Sequence, residues 1–492
     1  MGTKTINALV IVFATAITLS LLSSSYRPGQ ASIPAQTDHV AAEPTRTAAP
    51  IALPEMTLKP GDFYFRVDGI QNFLFGRNIT SYQQKDFETV LDWAQTGGSR
   101  LVRIQLIEGL GPGITSTGAV DETWARNWER VFDKAYADGL SIIPVFGSWF
   151  AWNSRDGHLW APNPLNQAKG GPAKTPGELF QKDSVTQSLW LQWLKSLVTR
   201  WRTRKNIVAW EIFSELNLVS GASERAGVDF VERAASIIRA LDPDRRPISA
   251  SLADFREWDS LYRSQSISFI EIHPYPPSGQ LDSYIISSVR QKLAQYGKPV
   301  LIGESGLSAS TPDSKPATLT TADRAAFGIK HAIWAAMVSG AMNGRLLYWE
   351  DSYGVYFPAF GLPFVRKYAT VELAAANFVK GVDFAGFQPL IARSSIGSKI
   401  TGAAIGNEKT VIGWFRDVDC EPPKWNLQPV ISKQIVTITV PGSFPTWRVD
   451  FYSTETGTDI ISSITAARKG NSIAVALPDF ADDIAFKMYV QK

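Results

Sequence analysis

Short apolar runs alternate with longer amphipathic stretches over most of this chain. A continuous apolar run is typical of a strand buried on both faces, and apolar positions three and four apart are typical of a helix packed on one side. The predicted strands are residues 73–79, 101–107, 141–146, 207–213, 248–251, 267–272, 300–303 and 345–349. The predicted helices are residues 87–94, 124–137, 186–201, 229–241, 284–296, 324–338 and 371–379.

This alternation predicts a parallel sheet covered by helices, and eight units favour an α/β fold closed into a (β/α)8 TIM barrel. A doubly wound open sheet is the alternative. It is disfavoured because no Gly-x-Gly-x-x-Gly turn follows the first predicted strand. In a barrel, the loops that leave the carboxyl ends of the strands build the active site.

The pattern changes after about residue 383, where helical spacing gives way to short β-rich runs separated by Gly, Pro, Asp and Asn. These runs predict a C-terminal antiparallel β-sandwich, which could bind sugar polymers but is more simply a packing domain. The runs are residues 410–415, 435–440, 447–452, 473–477 and 485–490. We expect a catalytic barrel over 59–382 and an accessory sandwich over 383–492.

The N-terminal region has the pattern of a targeting segment over residues 1–26. Lys4 precedes an apolar run over 6–22, as in a secretory signal peptide, although the run also has the length of a short membrane anchor. Residues 27–58 are rich in Ala, Pro and Thr, which indicates a linker. We expect an exported protein that is secreted, periplasmic or attached to the outer face of the membrane, with a cleaved signal favoured.

Composition narrows the classes of function. The net charge of +3 is spread along the chain without a basic run, which argues against nucleic acid as a partner. A single cysteine, Cys420, excludes an internal disulfide and a cysteine-based zinc site, and four scattered histidines give little basis for a metal centre. We expect no metal or organic cofactor, and a monomer. The 16 tryptophans suit either stacking on sugar rings or a large aromatic core.

Two glutamates stand where apolar strands give way to loops. Glu215 follows the fourth predicted strand and Glu304 follows the seventh. Folding alone explains such carboxylates poorly, whereas glycosidic bond cleavage needs one protonated carboxyl and one ionised carboxylate. The apolar neighbours of Glu215 favour it as the acid, and Arg103 on the second strand could hold Glu304 ionised as the nucleophile. Arg103 could instead form a structural ion pair.

Four further residues bear on this interpretation. Glu211 shares strand parity with Glu215, so it is a second candidate acid, although a paired structural carboxylate is favoured. His273 and Tyr275 follow the sixth strand with the same parity, so both could enter one cleft. Trp349, at the end of the eighth strand, could form the floor beneath a pyranose ring.

Taken together, Glu215, His273-Pro-Tyr275, Gly-Glu304 and Trp349 resemble the glycoside hydrolase clan A barrels, in particular the family 5 cellulase and β-mannanase group. The resemblance covers about two-thirds of the chain. It implies a retaining hydrolase with Glu215 as the acid/base and Glu304 as the nucleophile. It also implies supporting roles for Arg103, His273, Tyr275 and Trp349.

One position departs from that resemblance. The family normally has Asn before the acid/base glutamate, where it holds the substrate 2-hydroxyl, but this chain has Ser214. Ser214 could act through water, Asn217 could take its place, or the enzyme could handle its sugar differently. The long loop over 147–183 carries Trp149 and Trp152, which are candidate stacking platforms in one wall of a substrate groove.

The sequence therefore predicts an exported retaining β-glycoside hydrolase that cleaves a β-linked polysaccharide or oligosaccharide by double displacement. The substrate is expected to be similar to mannan or glucan. The alternative is a protein without catalytic activity that binds carbohydrate or acts as a scaffold on the same barrel. The replacement at Ser214 is the observation that best favours this alternative.

Overall fold

The computed structural model of the protein describes residues 51–79, 87–107, 111–155, 158–253, 257–276, 280–306, 319–347, 361–420 and 430–491. Eight parallel strands form a barrel, and each overlaps a strand predicted from the apolar runs. In chain order they are Leu74–Ile79, Leu101–Gln105, Ser141–Ser148, Trp210–Ser214, Ile248–Ser249 continued by Ser251–Ala253, Ile270–His273, Val300–Ile302 and Asn343–Leu347. They are called the first to the eighth barrel strand below.

Hydrogen bonds join the strands into a ring. The ladder runs from the eighth strand through the first to the fifth, and again from the fifth to the seventh. Between the seventh and eighth strands, the Met342 N–H donates to Val300 O at 2.8 Å, and the Asn343 side chain bonds both the N–H and the carbonyl of Ile302. The barrel prediction is confirmed, and closure removes the free strand edges of an open sheet.

Helices surround the barrel, and three of them begin at a capping side chain. Asp121, Ser184 and Ser223 each accept a hydrogen bond from a backbone N–H in the first helical turn, which satisfies a donor that the helix cannot. The α-helices are Phe87–Thr96, Glu122–Ala137, Val185–Trp201, Glu224–Leu241, Asp259–Arg263, Leu281–Tyr296, Leu319–Ser339 and Gly361–Val379. Short 3-10 turns are Trp149–Trp152, Gln167–Lys169, Pro176–Phe180 and Leu216–Leu218.

Aromatic side chains fill much of the core between helices and barrel. Trp128, Trp193 and Trp201 are almost completely buried and contact neighbouring rings in the layer under the helices. At the amino end of the barrel, the short strands Met56–Thr57, Arg66–Val67 and Ile70–Gln71 pair with one another beside a separate apolar cluster. For many tryptophans, core packing is therefore a sufficient explanation.

The C-terminal region is an antiparallel nine-stranded sheet, which confirms the predicted sandwich. Its strands enclose their own apolar core around Trp447, Phe451 and Phe486. The strands are Gln388–Leu390, Ala392–Ser394, Ile400–Gly406, Thr410–Asp417, Ile435–Thr439, Thr446–Tyr452, Ile460–Lys469, Ser472–Ala476 and Asp483–Val490.

The sandwich packs on the barrel helices through buried ion pairs. Arg416 of the sandwich contacts Asp282 at the start of the helix Leu281–Tyr296, and both side chains are almost completely buried. Lys330 of the helix Leu319–Ser339 contacts Asp482 and Asp483. These contacts fix the sandwich against the barrel, and residues 49–492 form one compact unit.

Among the described residues, no helix combines the length and the apolar character that a membrane crossing requires. The apolar run 6–22 lies outside the described residues. The predictions of a signal peptide or anchor, of the linker and of export therefore stay predictions.

Candidate active site

The chain leaves the fourth strand abruptly at Glu215. This residue has φ +57° and ψ +51°, a left-handed conformation that is unfavourable for a residue with a side chain. Its N–H donates to Ser251 Oγ at 3.1 Å, and the 3-10 turn Leu216–Leu218 follows. The alternation of side-chain directions along the strand ends at Glu215. The direction of its side chain therefore does not follow from that of Glu211, four residues earlier on the strand.

Glu304 follows the seventh strand and is held by three donors. Its Oε1 accepts hydrogen bonds from Arg103 Nη1 at 3.0 Å and from Gln105 Nε2 at 2.9 Å. Its Oε2 accepts one from the Tyr275 hydroxyl at 2.9 Å. These contacts fix the orientation of the Glu304 carboxyl group.

Arg103 lies fully buried among carboxylates at the centre of the site. It binds both oxygens of Glu211, at 2.6 and 2.8 Å, and its Nε is 2.8 Å from Glu271 Oε1. Burial alone would lower the pKa of Arg103, but these carboxylates and Glu304 hold it well above its ordinary value. Glu271 packs directly against Gly303, where an added Cβ would lie 2.1 Å from the Glu271 carboxylate. Only glycine fits before Glu304.

His273 lies between the carboxyl groups of Glu215 and Glu304. Its Nδ1 is 3.0 Å from Glu215 Oε1 and 3.6 Å from Glu304 Oε2, and its Nε2 is 3.9 Å from Glu271. Burial alone would lower the pKa of His273, but the three surrounding glutamates raise it to about 10. The imidazole is therefore a cation at neutral pH, and its Nδ1–H donates to Glu215.

The two loop carboxyls differ in their surroundings. Burial raises the pKa of Glu215, the hydrogen bond from His273 opposes that rise, and the charge of Glu304 adds to it. Glu304 instead has three donors, one of which is the guanidinium of Arg103. An oxygen of Glu215 and an oxygen of Glu304 lie within 4.8 Å of each other. The site thus places Glu215, a buried carboxyl with a raised pKa, beside Glu304, a carboxyl that accepts hydrogen bonds from three donors.

Comparison with known families identifies the barrel. The sequence profile of the cellulase family, glycosyl hydrolase family 5, matches residues 65–340, which is more than half of the chain. The chain belongs to glycosyl hydrolase family 5. The predicted resemblance is confirmed, and the protein is a glycoside hydrolase. Among curated proteins, none matches the chain.

Solved structures of the same class resemble this family 5 member. A glycoside hydrolase family 5 structure from Bacteroides vulgatus has 11% sequence identity and a TM-score of 0.58, with 89% of this chain and 94% of that chain covered. An endo-1,4-β-D-mannanase from Thermotoga petrophila has 17% identity and a TM-score of 0.43, with 56% and 88% covered. At 11% identity, the likeness to the Bacteroides vulgatus structure shows the fold alone.

Within the described part of this family 5 protein, three groups of side chains have the residue types of metal ligands. Each group already contacts a cation from the protein, because Arg103 and the protonated His273 lie among the site carboxylates and Lys330 contacts Asp482. A divalent ion would have to compete with those cations for the same oxygens. The groups are Glu215, His273 and Glu304; Glu211, Glu271 and His273; and His331, Cys420 and Asp482.

Ser214 and Asn217, the two candidates for the role of the missing asparagine, have different contacts in the structure. Ser214 lies in the site, where its Oγ accepts hydrogen bonds from Arg103 Nη2 at 3.1 Å and Gln105 Nε2 at 3.3 Å. The Asn217 carboxamide bonds both the N–H and the carbonyl of Ala253, at 2.8 and 3.0 Å. Asn217 therefore holds its loop to the fifth strand, and its amide is not oriented as a substitute.

The predicted aromatic platforms have different outcomes. Trp149 is partly exposed at the end of the third strand, with its ring 4.8 Å from that of His158. Trp152 is only 1% exposed and packs on Trp160, so its role as a stacking platform is wrong in this structure. The packing of the loop directs the Trp152 side chain into the core. Trp349 lies outside the described residues, and its predicted role stays a prediction.

Three residues of the site were not predicted from the sequence. Gln105, Glu271 and Asn78 all contribute buried polar groups to the network around Arg103. Gln105 lies two positions after Arg103, and Glu271 lies two before His273. Strand parity therefore puts each of them on the same side of its strand as a predicted site residue, although parity alone does not identify their partners.

Proposed function

We propose that this family 5 glycoside hydrolase is an exported, retaining enzyme that cleaves a β-linked polysaccharide or oligosaccharide. Glu304 is the nucleophile and Glu215 is the acid/base. The proposal depends on one observation above the others: two carboxyl groups with opposite surroundings approach within 4.8 Å. Retaining glycosidases have carboxyl groups about 5–5.5 Å apart, whereas inverting enzymes need roughly 6.5–9.5 Å to admit a water molecule.

In the first step Glu304 Oε2 forms a bond to the anomeric carbon as the bond to the leaving oxygen breaks. Glu215 gives its proton to that oxygen. The burial that raises the pKa of Glu215 supports this role, because a carboxyl protonated near the working pH is needed. The donors on Glu304 support its ionised state before attack, and the positive charge that develops on the sugar is stabilised by the carboxylate.

The second step needs Glu215 as a base, and the network supports that change of role. Once Glu304 is esterified it loses its negative charge, so one of the two causes that raise the pKa of Glu215 disappears, although burial remains. Glu215 then carries a carboxylate beside the cationic His273. It removes a proton from water, the water oxygen bonds to the anomeric carbon, and Glu304 leaves as a carboxylate.

Support for a carbohydrate polymer comes from the partly exposed aromatic rings at the end of the third strand. Trp149 and Phe150 lie at the carboxyl end of the barrel, where the site is built. Flat rings of this kind stack on sugar faces. Export is supported by the apolar run over residues 6–22, which follows Lys4.

The test begins with purified protein and a panel of mannans, glucans and xylans, with products identified by mass spectrometry. Proton NMR during hydrolysis then reports the first-formed anomer. We expect the β-anomer, and an α-anomer formed first would overturn the retaining mechanism. Glu304→Ala and Glu215→Ala should each lower kcat/KM, by about 10⁴-fold and about 10²- to 10⁴-fold. Glu129→Ala, which breaks an ion pair on the outer helix surface, is the control and should keep its activity.

Export has a separate test. The full chain should be found outside the cytoplasm after expression in a bacterial host, and N-terminal sequencing of that material reports whether the segment before residue 27 has been removed. Retention of all the protein in the cytoplasm would contradict export without affecting the catalytic proposal.

A further inference from the structure

We infer that Gln105 is a positioning residue that determines which oxygen of Glu304 attacks the sugar. This inference rests on the proposed role of Glu304 as the nucleophile. Gln105 lies at the end of the second strand and is 1% exposed. Its Nε2 is 2.9 Å from Glu304 Oε1 and 3.3 Å from Ser214 Oγ.

Gln105 repeats the contacts of Arg103. Both side chains leave the second strand on the same side, and each donates to Glu304 Oε1 and to Ser214 Oγ. Oε1 thus has two direct donors, one of them cationic, while Oε2 has one direct donor, the Tyr275 hydroxyl, with His273 Nδ1 farther away at 3.6 Å. Two direct hydrogen bonds hold Oε1 in place, which leaves Oε2 as the oxygen that faces the sugar.

The orientation of the Gln105 carboxamide is fixed by charge. If the amide were turned over, its oxygen would face the Glu304 carboxylate and repel it. In the orientation observed, the amide oxygen is buried and has no hydrogen-bond partner in the described part of the chain. A buried acceptor of this kind costs about 1–3 kcal/mol of stability. Folding does not explain this arrangement, whereas placement of a donor on Glu304 does.

Ser214 completes the arrangement. Its hydroxyl oxygen accepts from both Arg103 and Gln105, and the short side chain leaves room for the carboxamide of Gln105. A longer side chain at position 214 would compete for that space. The carboxamide beside the nucleophile is therefore supplied from the second strand, while the fourth strand contributes a small hydroxyl.

The experiment compares Gln105→Met with wild type on whichever polysaccharide the wild type cleaves. Methionine keeps the length of the side chain and removes the donor. One hydrogen bond to a charged group corresponds to about a 10- to 100-fold loss in kcat/KM. The loss should lie in kcat and not in KM, because the lost donor contacts the nucleophile and not the sugar.

Gln187→Met is the matched control. Gln187 is also a buried glutamine, 2% exposed, whose Nε2 donates to the Leu179 carbonyl at 3.0 Å, but it lies on the helix Val185–Trp201. This variant is expected to lose stability while it keeps both kcat and KM. Circular dichroism and thermal melting establish that both variants are folded.

The outcomes separate this inference from the proposed function. If the kcat of Gln105→Met stays within twofold of wild type while Glu304→Ala is inactive, Gln105 has no positioning role. If Glu304→Ala also keeps full activity, the proposed nucleophile itself is wrong. A loss in Gln105→Met that lies in KM alone would also overturn the inference, because the side chain would then act on substrate binding and not on the nucleophile.

Discussion

Two clusters of buried charge occur in this protein, and they serve different ends. The active-site cluster lies at the carboxyl end of the barrel strands and the seam cluster lies between the barrel and the sandwich. The first comprises Arg103, His273, Glu211, Glu215, Glu271 and Glu304. The second comprises Lys330, His331, Asp482 and Asp483.

Burial does not distinguish the two clusters. Glu215 and Glu304 are 7% and 4% exposed, and Lys330 and Asp483 are 3% and 9% exposed. The difference lies in where the side chains originate. The active-site groups come from the barrel strands and from the loops directly after them, and Glu215, His273 and Glu304 lie at or just after the carboxyl ends, whereas the seam groups join a helix face to the sandwich. A charge cluster in a barrel therefore suggests chemistry only when it lies at the ends of the strands.

The active-site cluster needs bound protons to balance its charge. Four carboxyl groups in the site face two cations, which would leave two negative charges if all four were ionised. Burial and the neighbouring Glu271 raise the pKa of Glu211 to about 8, with Arg103 opposing, and burial raises that of Glu215. A proton on each brings the cluster close to neutrality. Protons held in this way are available for transfer, provided that one of them faces the cleft.

The largest expected effect is that of Arg103→Met. It leaves three buried carboxylates without their guanidinium, which costs about 3–5 kcal/mol of the free energy of unfolding. It also removes a cationic donor from Glu304, so kcat/KM should fall by about 10²- to 10³-fold. Urea unfolding and steady-state kinetics measure the two losses. A variant that loses stability but keeps kcat/KM would show that both clusters are structural.

Lys330→Met makes the corresponding change in the seam cluster. It leaves the buried Asp483 and the partly buried Asp482 without their lysine, so a similar loss of about 3–5 kcal/mol is expected in urea unfolding. The kcat of the folded enzyme should stay within twofold of wild type, because the seam contributes nothing to the cleft. Arg200→Met, which breaks partly exposed ion pairs, should cost about 1 kcal/mol or less. A large fall in kcat for Lys330→Met would mean that the clusters are coupled.

The pH dependence of stability separates the clusters further. His273 has a pKa of about 10 in the folded protein and 6.5 as its ordinary value. Its stabilising contribution is fully present below pH 6.5 and is lost as the pH rises through 10. The free energy of unfolding should therefore decrease over this range, and His273→Gln should flatten the decrease. Urea unfolding at several pH values measures it, and an equally steep decrease in the variant would exclude His273 as its source.

Strand-level features of this protein could be predicted from the sequence, because buried parallel strands require continuous apolar runs. The positions of Glu215, Glu304, His273 and Tyr275 at strand ends followed directly from those runs. The direction of a loop side chain could not be predicted, since packing of the loop decides it. Trp152 shows this most clearly, because the turn after the third strand buries it against Trp160.

Gln105 was missed for a different reason. A glutamine two residues after an arginine on one strand has no distinctive chemistry until its partners are known. Those partners, Glu304 and Ser214, come from strands far away in the chain. These residues come close together only when the barrel closes. The apolar pattern predicts the order of the strands in the barrel but not which side chains meet inside it.

The smallest expected effect concerns the two tryptophans of the loop after the third strand. Trp149 is partly exposed beside His158, whereas Trp152 is 1% exposed in the core. An aromatic contact is worth about 0.5–1.5 kcal/mol beyond the area that it buries, so Trp149→Ala should raise KM by roughly 2- to 10-fold on a polymer and leave kcat nearly unchanged. Trp152→Ala should instead destabilise the fold by about 3–5 kcal/mol. If Trp152→Ala raised KM and Trp149→Ala did not, this loop would not form the sugar-binding wall at Trp149.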